Sequence, residues 1–140
     1  KYFLKEVGLK LVILDTLQDI LLISVGAILG ANTRFLIYKK LQKLDINNNL
    51  IILIINIFAS FTLGLFLSVL WDNEVTNFSS QLVSLVSIGF LGSLSTFSTF
   101  VYDLFELCTQ FEFFKALKIF FMALSLGIIA AVLGYLFGNL

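Results

Sequence analysis

The sequence predicts an all-α integral membrane protein with four transmembrane helices, and three observations predict it. Hydrophobic residues fill 59% of the 140 positions and charged residues only 13%, where a soluble domain carries about a quarter charged. A chain this short leaves much of its surface in contact with solvent whatever its fold, so this load of Leu, Ile, Val and Phe requires lipid as part of the solvent. The apolar residues also gather into four stretches, each near the ~20 residues a helix needs to cross the hydrocarbon core.

The first stretch, Ile20–Tyr38, carries Asn32, Thr33 and Arg34 near its end. The second, Leu50–Trp71, has no charge and a single amide, Asn56. The third, Leu82–Leu107, has a polar middle, and the fourth, Leu117–Leu136, has Lys118 at its edge. Short polar connections over 39–49, 72–81 and 109–116 leave no room for a soluble domain, so function is expected inside the bundle or at its mouths. Two regions are expected: an N-terminal extension over 1–19 and a four-helix transmembrane domain over 20–140. In the extension, Tyr2, Phe3, Leu4, Val7, Leu11, Leu14 and Leu17 form a loose helical stripe beside scattered charges. That pattern fits an interfacial helix or an unstructured segment, and no cleavable signal peptide is expected.

Charge and composition remove several classes of chemistry. Nine basic and nine acidic residues balance to a net charge of zero, so no nucleic-acid partner is expected. With no His and Cys108 as the one cysteine, zinc, iron–sulfur, disulfide and Cys–His nucleophile chemistries are out of reach, and an enzyme is not expected. Cys108 reads as a small buried hydrophobe. The basic residues are also one-sided. Arg34, Lys39, Lys40, Lys43, Lys115 and Lys118 fall at one membrane face, and only Lys1, Lys5 and Lys10 at the other. The positive-inside rule then makes the 39–49 and 109–116 side cytoplasmic.

The third stretch holds the informative residues. From Gly89 to Phe100 it reads GFLGSLSTFSTF, which puts Ser93, Ser95, Thr96, Ser98 and Thr99 at membrane depth. Lipid-facing helices have no use for hydroxyls, so the run indicates either a polar pathway or hydrogen-bonded helix packing. Gly89 and Gly92 add permissive backbone just before it, and unwound backbone is tolerated in a bilayer only where protein or a lined cavity satisfies it. Such a break would offer carbonyls to a cation and N–H groups to an anion. Phe97 and Phe100, three residues apart, share a helical face, and the positive edge of an aromatic ring can meet an anion without supplying a full charge. Asn56 reads either as an anion donor or as an interhelical hydrogen bond. Arg34 reads either as a snorkelling residue or as an attracting charge at an aqueous mouth. Gly26, Gly30, Ala59, Ser60 and Gly64 read as close-packing positions, and Ser125 as a hydroxyl bonded back onto its own helix.

Taken in order, these segments resemble the Fluc/CrcB family of fluoride channels. GAILGANTRF (26–35) is similar to the family's first-helix signature, and NIFASFTLG (56–64) to its second-helix Asn and small-residue pattern. GFLGSLSTFSTF resembles the glycine-rich, TTFSTF-ending third helix and is the specific part. The resemblance covers residue 20 to the end. It implies a third helix broken in its middle, an antiparallel dual-topology dimer and passive export of cytoplasmic fluoride across the inner (plasma) membrane. It implies an anion pathway of Asn56, Phe97, Phe100, Thr96, Thr99, Ser125 and Arg34. It also implies a structural Na+ at the dimer interface, held by the backbone carbonyls of Gly92 and Ser95. Asp103 stands where the family often has Glu. Three positions depart from the pattern: Ser93 for Gly, Ser95 for Thr, and Phe121 for a Tyr one turn before Ser125. Phe121 removes a hydroxyl from one pore, and with the one-sided lysines this raises a heterodimer with an oppositely oriented paralogue beside the homodimer. The alternatives are a proton-coupled small multidrug exporter, which needs a membrane carboxylate that mid-span positions here lack, and a non-conducting subunit.

Overall fold

The computed structural model describes the backbone of residues 2–44, 48–71 and 77–140 and the side chains of residues 14–44, 48–70 and 80–140. Among these residues every regular element is helical. Helix α1 spans Tyr2–Gln42 and α2 spans Asn48–Trp71. The third span is a composite: α3 (Asn77–Leu82), a π-helical segment (Val83–Leu91), α4 (Gly92–Leu94), a non-helical stretch over 95–97, and α5 (Ser98–Thr109). Helix α6 follows over Phe113–Gly138. Among the described residues four segments are long and apolar enough to cross a membrane: Leu14–Gln42, Asn48–Leu70, Ser80–Thr109 and Phe113–Gly138.

Helix α1 passes residue 20 without interruption, and its 41 residues make it the longest of the four. At 1.5 Å per residue it is about 60 Å long, roughly twice the hydrocarbon thickness. The stripe expected on the N-terminal extension lies, for residues 1–13, outside the described side chains.

Polar side chains in the spans are satisfied locally where they can be. Ser24, Asn32, Thr33 and Thr62 donate to the carbonyls of Ile20, Ile28, Leu29 and Phe58, four residues back in each case. Such back-bonding removes the cost of an unpaired hydroxyl or amide without recruiting a neighbouring helix.

Two close helix contacts organise the bundle. In the first, α1 lies against the π-helical segment: a Cβ on Gly26 would collide with the Leu85 carbonyl, and one on Gly30 with the Phe90 carbonyl and the Ser93 hydroxyl. Ser93 uses the proximity to donate to the carbonyl of Ala27 at 3.0 Å. In the second, α2 and α6 pack reciprocally, Gly64 on the Ala131 carbonyl and Gly134 on that of Phe61. Ser68, fully buried, closes the far end by donating to Asn139 at 2.6 Å. Because each glycine faces fixed backbone, a methyl there cannot be absorbed by a rotamer change. Gly134→Ala is expected to lower stability by about 1–3 kcal/mol, the usual cost of overpacking, read as a lower thermal midpoint of the purified protein. Gly92→Ala is the control, since its new Cβ meets only the Ser87 carbonyl at an ordinary 3.7 Å.

The buried core is small and sits beside the break. Ile51, Ile55 and Ala59 of α2 pack on Leu91 and Leu94, with Ile37, Tyr38, Leu41, Leu63, Val86 and Phe90 around them. Most other large apolar side chains are exposed, as expected of a surface that faces lipid tails or another chain. Helix α5 ends in a Schellman-type turn, the Phe111 and Glu112 amides donating to the carbonyls of Cys108 and Leu107. Phe111 takes the left-handed position (φ 60°) that glycine usually fills, and Cys108 beside it is half-buried.

Candidate functional site: a break in the third span

The helix stops for a local reason. Leu94 ends α4, and the Ser95 amide makes the last helical bond, to Leu91 at 3.1 Å. At Ser95 (φ −70°, ψ 153°) the backbone then turns extended. Helical bonding resumes when the Val101 amide bonds the Phe97 carbonyl at 2.9 Å. Glycine does not make the break. Gly92 is ordinary right-handed helix (φ −62°, ψ −34°), no described glycine has positive φ, and Gly89 instead permits contact with the Ile23 carbonyl of α1. The permissive-backbone reading of these two glycines is thereby corrected, since the chain unwinds three residues later at Ser95.

Side chains from two other helices satisfy the backbone groups that unwinding releases. Asn56 of α2 binds Thr96 on both sides: its Oδ1 accepts from the Thr96 amide at 2.9 Å, and its Nδ2 donates to the Thr96 carbonyl at 3.0 Å. The carboxamide thus stands in for a peptide group, and it closes a two-bond ring on a residue that is itself buried. Arg34 of α1 donates through a guanidinium nitrogen to the Ser95 carbonyl at 3.4 Å. Ser95 returns its own hydroxyl to the Gly92 carbonyl at 3.3 Å. The amide donor assigned to Asn56 from sequence is therefore half spent: one amide hydrogen holds the Thr96 carbonyl and the other is left for a further acceptor.

A cavity of about 760 Å³ opens on the break. Asn56, Ser95, Thr96, Phe97 and Phe100 line it, with Asn49 and Leu50 in the first turn of α2 and Leu107 near the end of α5. It therefore reaches from the break toward the lysine-bearing end of the molecule. The Thr96 hydroxyl lies 3.3 Å from that of Thr99 and 3.4 Å from that of Ser98, so it reaches both hydroxyls at the start of α5. The first N–H groups of a helix have no intrahelical acceptor and carry the positive end of its dipole. The lining residues Ser95, Thr96, Phe97 and Phe100, beside the start of α5, supply hydroxyls and aromatic rings, groups that can receive a small anion without a full charge.

Of the residues singled out from sequence, the fold gathers Asn56, Ser95, Thr96, Phe97 and Phe100 on one cavity, with Thr99 and Arg34 joined to it by hydrogen bonds. Gly92 adjoins through its carbonyl. Ser125 is exposed on α6 and does not line this cavity. Asp103 and Phe120 also line the cavity, and neither was placed on the pathway from sequence. Asp103, expected at a helix end facing water or a neighbouring helix, lines the cavity wall one turn beyond Phe100. Phe120 of α6 lines it too, its ring stacked on that of Phe100. The signal for Asp103 was its i+3 spacing from Phe100. None existed for Phe120, one aromatic among the 16 phenylalanines of the chain.

A family model described as CrcB-like protein, Camphor Resistance (CrcB), matches residues 21–135. The chain is also 56% identical over 123 residues to a protein of Prochlorococcus marinus (strain NATL2A) named Fluoride-specific ion channel FluC 2, covering 88% of this chain and 99% of that protein.

Proposed function

The chain belongs to the CrcB-like family, and on that premise we propose that it is a fluoride channel, a multi-pass membrane protein that lets the anion leave the cell passively down its electrochemical gradient. The observation that carries the reading is the interrupted third span, where Ser95, Thr96 and the paired phenyl rings of Phe97 and Phe100 line a cavity at the break. A fluoride ion that sheds water there receives hydrogen bonds from Thr96, Thr99 and the remaining Asn56 hydrogen, and ring-edge contacts from Phe97 and Phe100. These contacts are weak and several, which lets an ion enter and also leave. Arg34 attracts the anion from beyond the break, and Ser125 joins the polar track through a neighbouring copy.

The working unit in this reading is an antiparallel dimer in the inner membrane. Phe97 is 72% exposed in the single chain, which supports a second copy covering it. Carbonyl oxygens are hard donors that suit Na+, and Gly92 and Ser95 supply two from one chain, so a complete shell draws the same pair from the partner. Ser95 gives one lone pair to Arg34 and keeps the second for the cation. Bound by the Gly92 and Ser95 carbonyls, Na+ would supply a fixed positive charge beside the break. The one-sided lysines and Phe121 favour an oppositely oriented paralogue as the alternative to a second copy in that place, and efflux from vesicles holding this chain alone would remove the need for it.

Fluoride efflux from liposomes loaded with the purified protein, read with a fluoride electrode, tests the proposal. Efflux well above protein-free vesicles with chloride retained is the expected result, and chloride or drug transport in its place would reject it. Asp103 gives a sharper discrimination from the proton-coupled exporter, because it is the carboxylate on the cavity wall. A passive pathway needs no titrating group, so Asp103→Asn is expected to change efflux by less than about threefold. A proton-coupled carrier would lose transport outright.

A further inference from the structure

We propose that Phe120 is a positioning residue for the anion pathway, holding the Phe100 ring in the plane that turns its edge to the cavity; this rests on the fluoride-channel reading and deepens it. Phe100 lies between two aromatic neighbours. Phe97 is tilted to it at 46° with centroids 6.3 Å apart, and Phe120 is stacked on it at 27° and 6.4 Å. All three line the same cavity as Asn56 and Thr96.

The plane of the ring matters because a phenyl group has two electrostatic surfaces. Its face is negative and repels an anion, whereas its edge is positive and attracts one. Rotation about χ2 exchanges the two, and that torsion is broad in phenylalanine. An apolar neighbour of any shape keeps water from Phe100, but only a flat one laid parallel to it selects the plane. Phe120 does this from α6, across from α5, which carries Phe100 and is preceded by Phe97. Phe121 braces it in turn, with ring planes at 76° and centroids 5.5 Å apart. The position that departs from the family pattern therefore supports the ring stack from behind.

The test compares Phe120→Leu, Phe120→Tyr and, as an aromatic outside the cavity, Phe105→Leu. In the liposome assay Phe120→Leu is expected to lower fluoride efflux about tenfold, the upper end of what one aromatic pair contributes. Phe120→Tyr restores the flat neighbour and is expected to stay within about twofold of the parent, and Phe105→Leu to match it. A second readout is independent of transport. With 3-fluorophenylalanine at position 100, whose fluorine moves when the ring turns about χ2, the parent and Phe120→Tyr are expected to give one narrow ¹⁹F resonance, and Phe120→Leu a broadened and shifted one. A conducting parent whose Leu variant conducts equally well, or whose ¹⁹F line is unmoved, overturns the role of Phe120 alone. A Leu variant that fails only because its thermal midpoint collapses, with Tyr failing alike, also overturns it. A parent that carries no fluoride overturns the channel reading, and this role with it.

Discussion

Asn56→Ala is expected to reduce stability by about 2–6 kcal/mol, at about 1–3 kcal/mol for each buried backbone group left unpaired. The two groups are the amide and carbonyl of Thr96, both held by the Asn56 carboxamide and both freed at once by the alanine. The lower end of that range is expected because the adjoining cavity can admit water to the abandoned groups. Thermal unfolding of the purified protein measures the loss. A residue acting only as a donor to a passing ion would lower efflux and leave the midpoint in place. Asn56→Asp separates the two contributions further, since it keeps an acceptor for the Thr96 amide and brings a charge against the Thr96 carbonyl. Its midpoint is therefore also expected to fall, and an unchanged midpoint in both variants would contradict the clamp.

Phe97→Ile is expected to have the opposite profile: a large loss of transport with little change in stability. Phe97 is 72% exposed in the single chain, so its removal empties no packed core. Within the single chain a substitution at such a position usually stays within about 0.5 kcal/mol, and isoleucine keeps an apolar surface for a second copy to cover. Isoleucine keeps the apolar character and deletes the positive ring edge, leaving an anion at that point with no attractive contact. Efflux is expected to fall roughly tenfold or more, the factor produced by about 1.4 kcal/mol of lost interaction. Retained efflux in Phe97→Ile, measured in the same vesicles as the parent, would remove the phenyl edges from the pathway.

The membrane character and the number of spans were legible because both follow from local sums. Twenty or so apolar residues in a row pass the bilayer requirement wherever their neighbours lie. The Ser/Thr–Phe string was legible for the same reason, since hydroxyls at membrane depth are costly unless something uses them. Less was visible in the details of the third span. Gly89 and Gly92 drew attention as permissive backbone just before the break, yet Gly89 serves a contact with α1 and Gly92 is plain helix. The π-helical segment of Val83–Leu91 gave no advance sign, because an apolar run satisfies either helical hydrogen-bond pattern.

By itself the sequence determined that this chain lives in lipid, where it crosses, and which handful of polar and aromatic residues had to be accounted for there. The tertiary structure alone decided how each was used. It spent both ends of the Asn56 carboxamide on Thr96, turned Asp103 and Phe120 onto the cavity, and left Ser125 off it. The physical reason is that burial is paid for residue by residue along the chain. The partner of a hydrogen bond or a stacked ring is instead set by the rotation and neighbours of a packed helix, which the order of amino acids does not display.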